Sequence, residues 1–325
     1  MTSLFLSLPP ILLITAALPL AWINHPVTDT ETADTVTPAE TSNSARGTSL
    51  YRIRSNGMNR WYRVHYPPNF DQQSATEVVV AYHGGGGNAS EFMSTSGLNQ
   101  ASDQHGFVVV YPEGTGALGG WPFFTLETWN AGECCGWAAD NNIDDVKFTR
   151  DMLQDLSNRM TIDTHALYAT GHSNGAMMCY RLAIEAPALF AAIAPNAGSR
   201  DVYTNPTQPV PLIAFHGALD CQVPFEGGFG CGISGTYKLS QADTLTPFII
   251  KNKALVPPLD QPTETRGKAH RFEANAPTTG ADIHYWWMTD HGHAWPGHGS
   301  SLGDACNYDI DINQEMWVFF DQHRR

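Results

Sequence analysis

The sequence is short of positive charge: its 325 residues hold 18 Lys plus Arg against 32 Asp plus Glu, for a formal net charge of -14. Such a balance repels a phosphate backbone, so nucleic acid is not expected as a partner. No internal repeat is apparent. No C-x-x-C spacing occurs, so the usual cysteine zinc sites are absent. No Lys or Arg precedes Arg46, and no cysteine follows the apolar stretch at 4–23, so a lipoprotein anchor is not indicated.

That apolar stretch is followed by a segment rich in Thr, Asp, Glu and Ser. Residues 1–23 read as an export signal, with an uncleaved membrane anchor as the alternative, and 24–45 as a polar linker. Either reading puts the remainder, 46–325, outside the cytoplasm, as a secreted or periplasmic domain. The six cysteines suit an oxidising compartment. Cys221 and Cys231 are the expected local bridge. Cys134 and Cys135 pair with each other or reach elsewhere, for example to Cys306, and Cys179 suits a buried thiol.

Along the domain, Asn56-Gly57 between two strand-like runs predicts a hairpin. Short Val-rich runs at 77–82 and 107–111, separated by one helical stretch at 94–104, predict a parallel crossover. A helix is expected over 144–160, strands at 166–170, 190–194, 211–215 and 282–288, a helix at 176–186, and a last helix at 312–320. The stretch 237–280 interrupts this alternation. It reads as a pocket-shaping elaboration or a surface excursion. The whole predicts one α/β domain with a mostly parallel sheet, helices on both faces and an N-terminal hairpin.

Gly171-His172-Ser173-Asn174-Gly175 falls between a predicted strand and a predicted helix. A G-x-S-x-G pentapeptide there predicts a nucleophile elbow, in which small flanking residues let the chain turn sharply and present the serine hydroxyl. A serine needs a base, and the base needs an orienting acid. Asp220 follows the strand at 211–215, and His293 lies in a glycine-rich loop after the strand at 282–288. The order Ser, Asp, His is that of the α/β-hydrolases. His83-Gly84-Gly85-Gly86-Gly87 follows the strand at 77–82, where an HGGG-type loop supplies an oxyanion donor. Gly84, Gly85 and Asn174 are the expected donors. No Gly-Lys-Ser/Thr follows those glycines, which excludes a phosphate loop.

With these motifs the chain resembles the secreted polyhydroxybutyrate depolymerase and feruloyl esterase group of α/β-hydrolases. The shared segments are HGGGGNA at 83–89, WNAGECCG at 129–136, Asp144-Asp145-Val146, GHSNG at 171–175, Asp220 with Val223-Pro224, and GHAWPG at 292–297. The resemblance implies the α/β-hydrolase fold, with Ser173 as nucleophile, Asp220 as orienting acid, His293 as general base and an oxyanion role near Gly84 and Gly85. It implies no metal or organic cofactor. The substrate it implies is a 3-hydroxyalkanoate polyester or its oligomers, or alternatively a feruloylated cell-wall saccharide. No polymer-binding domain is seen after the catalytic region, so soluble esters are expected over crystalline polyester.

Trp129 and Trp295 are the first candidates to line a substrate pocket, ahead of Trp121 and Trp137. His172 and Asp290-His291 depart from the residues common in relatives, and His291 is a second candidate base or a modulator of His293. Two other classes remain: a zinc hydrolase using His291, His293 and His298, and a non-catalytic binding protein on a hydrolase scaffold.

Overall fold

The computed structural model describes residues 47–117, 126–232, 234–255 and 261–325. The expected export segment, the linker and Trp121 lie outside the described residues.

Asn56 and Gly57 both take positive φ, 49° and 72°, the backbone a tight hairpin turn requires. They join β1 (Gly47–Ser55) to β2 (Met58–Tyr66). Next come β3 (Thr76–Tyr82), α1 (Ala89–Thr95), α2 (Leu98–His105) and β4 (Val108–Pro112). The single helix expected over 94–104 is thus two. Gly97, left-handed at φ 70°, ends one and begins the other. Then follow α3 (Gly136–Asp140), α4 (Asp145–Ser157), β5 (Ile162–His172), α5 (Asn174–Glu185), β6 (Ala192–Asn196) and β7 (Leu212–Gly217). The chain continues through the short hairpin β8 (Gly228–Phe229) and β9 (Tyr237–Lys238), then α6 (Gln241–Asn252), β10 (Glu264–Arg266), β11 (Ala269–Ala274), β12 (Ile283–Met288) and α7 (Ile312–Gln322).

Ten strands form one sheet in the order β1-β2-β4-β3-β5-β6-β7-β12-β11-β10. From β4 to β12 every neighbouring pair is parallel, and both flanks are antiparallel. The stretch that seemed to interrupt the alternation therefore contributes a helix and the two strands that close one edge. Alternation along β3 divides the core. Val78, Val80 and Tyr82 face the layer built with α4, α5 and α6, while Val79 and Ala81 face the layer of α1, α2 and α7. Both faces of the parallel strands are covered, which is why they read as unbroken apolar runs. Among the described residues no helix is long and apolar enough to cross a membrane.

One buried ion pair ties these layers to the loops. Arg60 on β2 donates to Asp145 at 2.8 Å, both side chains nearly or fully buried. The same guanidinium donates to the Glu113 carbonyl at 3.0 Å and stacks over the Phe148 ring at 3.7 Å. The other Asp145 oxygen accepts the Asn130 N–H at 2.8 Å. Asp145, part of the shared Asp-Asp-Val segment, thus fixes the chain next to Trp129. Removing one partner leaves an uncompensated buried charge. Asp145→Ala is expected to lower the unfolding free energy by about 3–5 kcal/mol, read from the shift of the urea midpoint at unchanged slope.

Candidate active site

The loops after β3, β5, β6, β7 and β12 leave the same, carboxyl-terminal edge of the parallel strands, where open α/β sheets place ligands. At the centre stands Ser173, between the end of β5 and the start of α5, at φ 56° and ψ -120°. A side chain at positive φ is strained, and such strain is held in place only by its surroundings. Here the Ser173 N–H donates to the Asn196 carbonyl at 3.0 Å, and the Ser173 carbonyl accepts from Met177 at 3.0 Å. Gly175 is needed because any Cβ there would collide with the carbonyl oxygens of Tyr82 and His83.

The glycine loop lies directly on this elbow. A Cβ on Gly84 would sit 3.5 Å from Ser173 Cβ, and one on Gly85 3.3 Å from Asn174 Cβ. Gly86 donates to the Glu127 carbonyl at 2.8 Å and Gly87 to the Gly84 carbonyl at 3.1 Å. The N–H groups of Gly84 and Gly85 donate to no other described residue. His83 holds the loop from below. Its Nε2 accepts the Gly114 N–H at 3.0 Å, so its proton is on Nδ1, which donates to the Gly84 carbonyl at 2.8 Å. Burial pulls the His83 pKa down to about 4.

Asn174 forms a reciprocal pair with the backbone of Trp129. Its Oδ1 accepts the Trp129 N–H at 2.7 Å, and its Nδ2 donates to the Trp129 carbonyl at 3.0 Å. The Trp129 indole donates to the His83 carbonyl at 2.9 Å and is 0% exposed. The substrate-lining role expected for Trp129 gives way to one of support, since its ring is sealed beneath the glycine loop. Trp295 is 4% exposed, meets Phe92 edge-on at 5.2 Å and donates to Asn313 at 3.1 Å. It too is packing for the loop that carries His293.

The structure brings Asp220 and His293 together across 73 positions of sequence. His293 Nδ1 donates to Asp220 Oδ2 at 2.7 Å, with both groups buried. The other Asp220 oxygen accepts the N–H groups of Gln222 and Val223, each at 2.9 Å. Burial pushes the Asp220 carboxyl up, but the His293 bond and the N–H donors outweigh it and hold it below the usual carboxylate range. His293 packs against the ring of His172, centroid to centroid 4.7 Å. The Ser173 hydroxyl makes no hydrogen bond to another described residue.

His291 has both ring nitrogens engaged by backbone and so offers no free nitrogen as a second base. It is fully buried, with Nδ1 accepting from Asn307 N–H at 2.9 Å and Nε2 donating to the Ala294 carbonyl at 3.1 Å. It fastens the two ends of the histidine loop, and burial lowers its pKa to about 4. The zinc alternative fails on the same geometry. His291 is committed to backbone, His293 to Asp220, and His298 to Asn313 and Asp311. Among the described residues no three His, Cys, Asp or Glu side chains are arranged to hold a metal.

Cys221 and Cys231 are disulfide-paired, as expected, and Cys134 pairs with its neighbour Cys135. Cys179 is a buried free thiol, and Cys306 is free and half-buried. The vicinal pair was the only hint in the sequence of a small apolar cluster here. Ala131, Cys134, Met177 and Val223 form it, and Cys135 packs on it. It joins the first turns of α5 to the loop after Asp220.

Sheet, elbow and converging loops define an α/β-hydrolase. Residues 61–214 match the family described as Esterase PHB depolymerase, the group whose motifs the sequence resembles. Among curated proteins the chain is similar to a putative esterase, NocK, of Nocardia uniformis subsp. tsuyamanensis, at 32% identity over 76% of this chain and 64% of that one. It is also similar to feruloyl esterase B of Piromyces equi, at 28% over 53% of this chain and 31% of the relative. The chain thus spans less than two thirds of the length of each. Among solved structures, an acetyl xylan esterase from Aspergillus awamori shares the fold with a TM-score of 0.54 and 17% identity, over 83% of this chain and 98% of that one.

The buried histidines set a pH dependence. His83 and His291 stay neutral in the fold but take up protons near the ordinary value when unfolded. Stability is therefore full above about pH 6.5 and is lost as pH falls toward about 4. His83→Gln, which cannot titrate, is expected to show a shallower loss across that window than the unaltered protein, read from urea unfolding at a series of pH values.

Proposed function

We propose that this chain is an extracytoplasmic serine hydrolase of carboxylic esters working through an acyl-enzyme. The observation that carries the proposal is the buried Asp220–His293 bond in loops that leave the same sheet edge as the strained Ser173 elbow. His293, oriented by Asp220, takes the Ser173 proton on Nε2. The serine oxygen attacks the ester carbonyl. The N–H groups of Gly84, Gly85 and Asn174 receive the charge that develops on the carbonyl oxygen. His293 returns the proton to the departing alcohol, and then activates water to release the acid. In the free enzyme the serine–histidine bond need not be made, since such bonds commonly tighten only around substrate.

The substrate proposed first is a 3-hydroxyalkanoate polyester or its oligomers, supported by the family match. Feruloylated cell-wall saccharide is the second reading, favoured by the feruloyl esterases B and D among the relatives.

Ser173→Ala is expected to lower kcat by at least about a thousandfold with folding unchanged. Mass spectrometry after incubation with 3-hydroxybutyrate oligomers and feruloylated arabino-oligosaccharides separates the two substrates. Serine-dependent hydroxybutyrate supports the first and ferulate the second. Activity that survives Ser173→Ala contradicts the mechanism.

A further inference from the structure

Asn196, the last residue of β6, is fully buried and belongs to none of the motifs above. Its backbone carbonyl receives the Ser173 N–H. Its side-chain Nδ2 lies 2.8 Å from the Ala294 carbonyl, next to His293, and 2.9 Å from His172 Nδ1, next to Ser173. One nitrogen with two hydrogens serves both acceptors. We propose that Asn196 is a positioning residue that holds the nucleophile turn and the histidine loop in register and fixes the tautomer of His172.

The hydrogen-bond chemistry is directional. An amide nitrogen only donates, so Nδ1 of His172 must be the unprotonated acceptor and the ring proton must be on Nε2. The opposite placement of the amide would aim its oxygen at the Ala294 carbonyl, two acceptors facing each other. Asn196 Oδ1, meanwhile, is buried with no partner among the described residues. An orphaned buried oxygen costs stability, so an apolar residue at this position would be the more stable choice if packing alone mattered. What the position needs is the NH2 group.

This arrangement matters because of what faces His172. The imidazole of His293 is 4.7 Å away, centroid to centroid, and Asp220, His291 and His216 are the other titratable groups around it. Burial first, and His293 second, hold the His172 pKa well below the ordinary histidine value, against the pull of Asp220. A donor fixed on Nδ1 acts in the same direction, since that nitrogen cannot take a proton without losing the bond. In the proposed mechanism, on which this inference rests, His293 becomes positively charged as Ser173 attacks. A neutral His172 leaves that charge unopposed, whereas a protonated one would raise the barrier by like-charge repulsion.

Two measurements test this. In histidine-selective ¹⁵N spectra, with His172 assigned by its loss in His172→Asn, the ring should remain a neutral Nε2–H tautomer from about pH 5 to 8. A ring that titrates in that range, or carries its proton on Nδ1, overturns the proposal without any change to the enzyme's fold. In Asn196→Ala and the isosteric Asn196→Asp, kcat should fall by at least about tenfold with KM within about twofold. In Asn196→Ala the acid limb of kcat/KM against pH should also steepen, because His172 is freed to protonate. Asn196→Ala with unaltered kcat and acid limb, whether or not its melting temperature falls, would refute the positioning role, while loss of activity in Ser173→Ala tests the triad separately.

Discussion

The structure depends on one backbone constraint: Ser173 is held at positive φ between the end of β5 and the first turn of α5. A residue in that conformation returns to ordinary backbone unless its neighbours forbid it. Here the forbidding is done by the carbonyl of Asn196, by the carbonyl oxygens at the end of β3 that leave no room for a Cβ at Gly175, and by the glycine loop stacked on the turn. The parallel sheet keeps β3, β5 and β6 side by side, so the strain is sustained by three strands at once.

Around that point, the polar groups hold each other. Asn174 pairs with Trp129, the Trp129 indole with His83, His83 with Gly84 and Gly114, and Asp145 with Arg60 and Asn130. A second chain runs from Asn307 through His291 and Ala294 to Asn196 and His172. Each is a line of fixed dipoles. Fixed dipoles need no rearrangement when charge appears at a reacting carbonyl, which is the main way such sites lower barriers. Burial holds the pKa of three of the imidazoles involved below the ordinary histidine value, whereas His293 is hydrogen-bonded to the Asp220 carboxylate.

Much of this was legible in the sequence, for physical reasons that also explain the gaps. The hairpin at Asn56-Gly57, the buried runs of β3 and β4 and the amphipathic α4 are local signals, and each appears within a few residues of its expected place. The Asp220–His293 bond could be anticipated because both residues follow apolar strand runs, in a chain order that places them at one sheet edge. Gly97 broke an expected helix because one left-handed glycine outweighs weak polar periodicity. The roles of Trp129 and Trp295 were not legible: an aromatic ring beside a motif looks the same whether it lines a pocket or props a loop. Asn196 had no local signature at all. Its partners lie 24 and 98 positions away, and only the folded sheet edge brings them together.

The central claim is that Ser173 is the nucleophile and that its reactivity comes from His293. The most direct measurement is peptide mapping by mass spectrometry after treatment with a fluorophosphonate ester, for the unaltered protein and for His293→Ala. The account predicts one adduct per chain, on Ser173, forming far more slowly when His293 is absent. An adduct on another residue, or labelling of Ser173 at the same rate without His293, would contradict it.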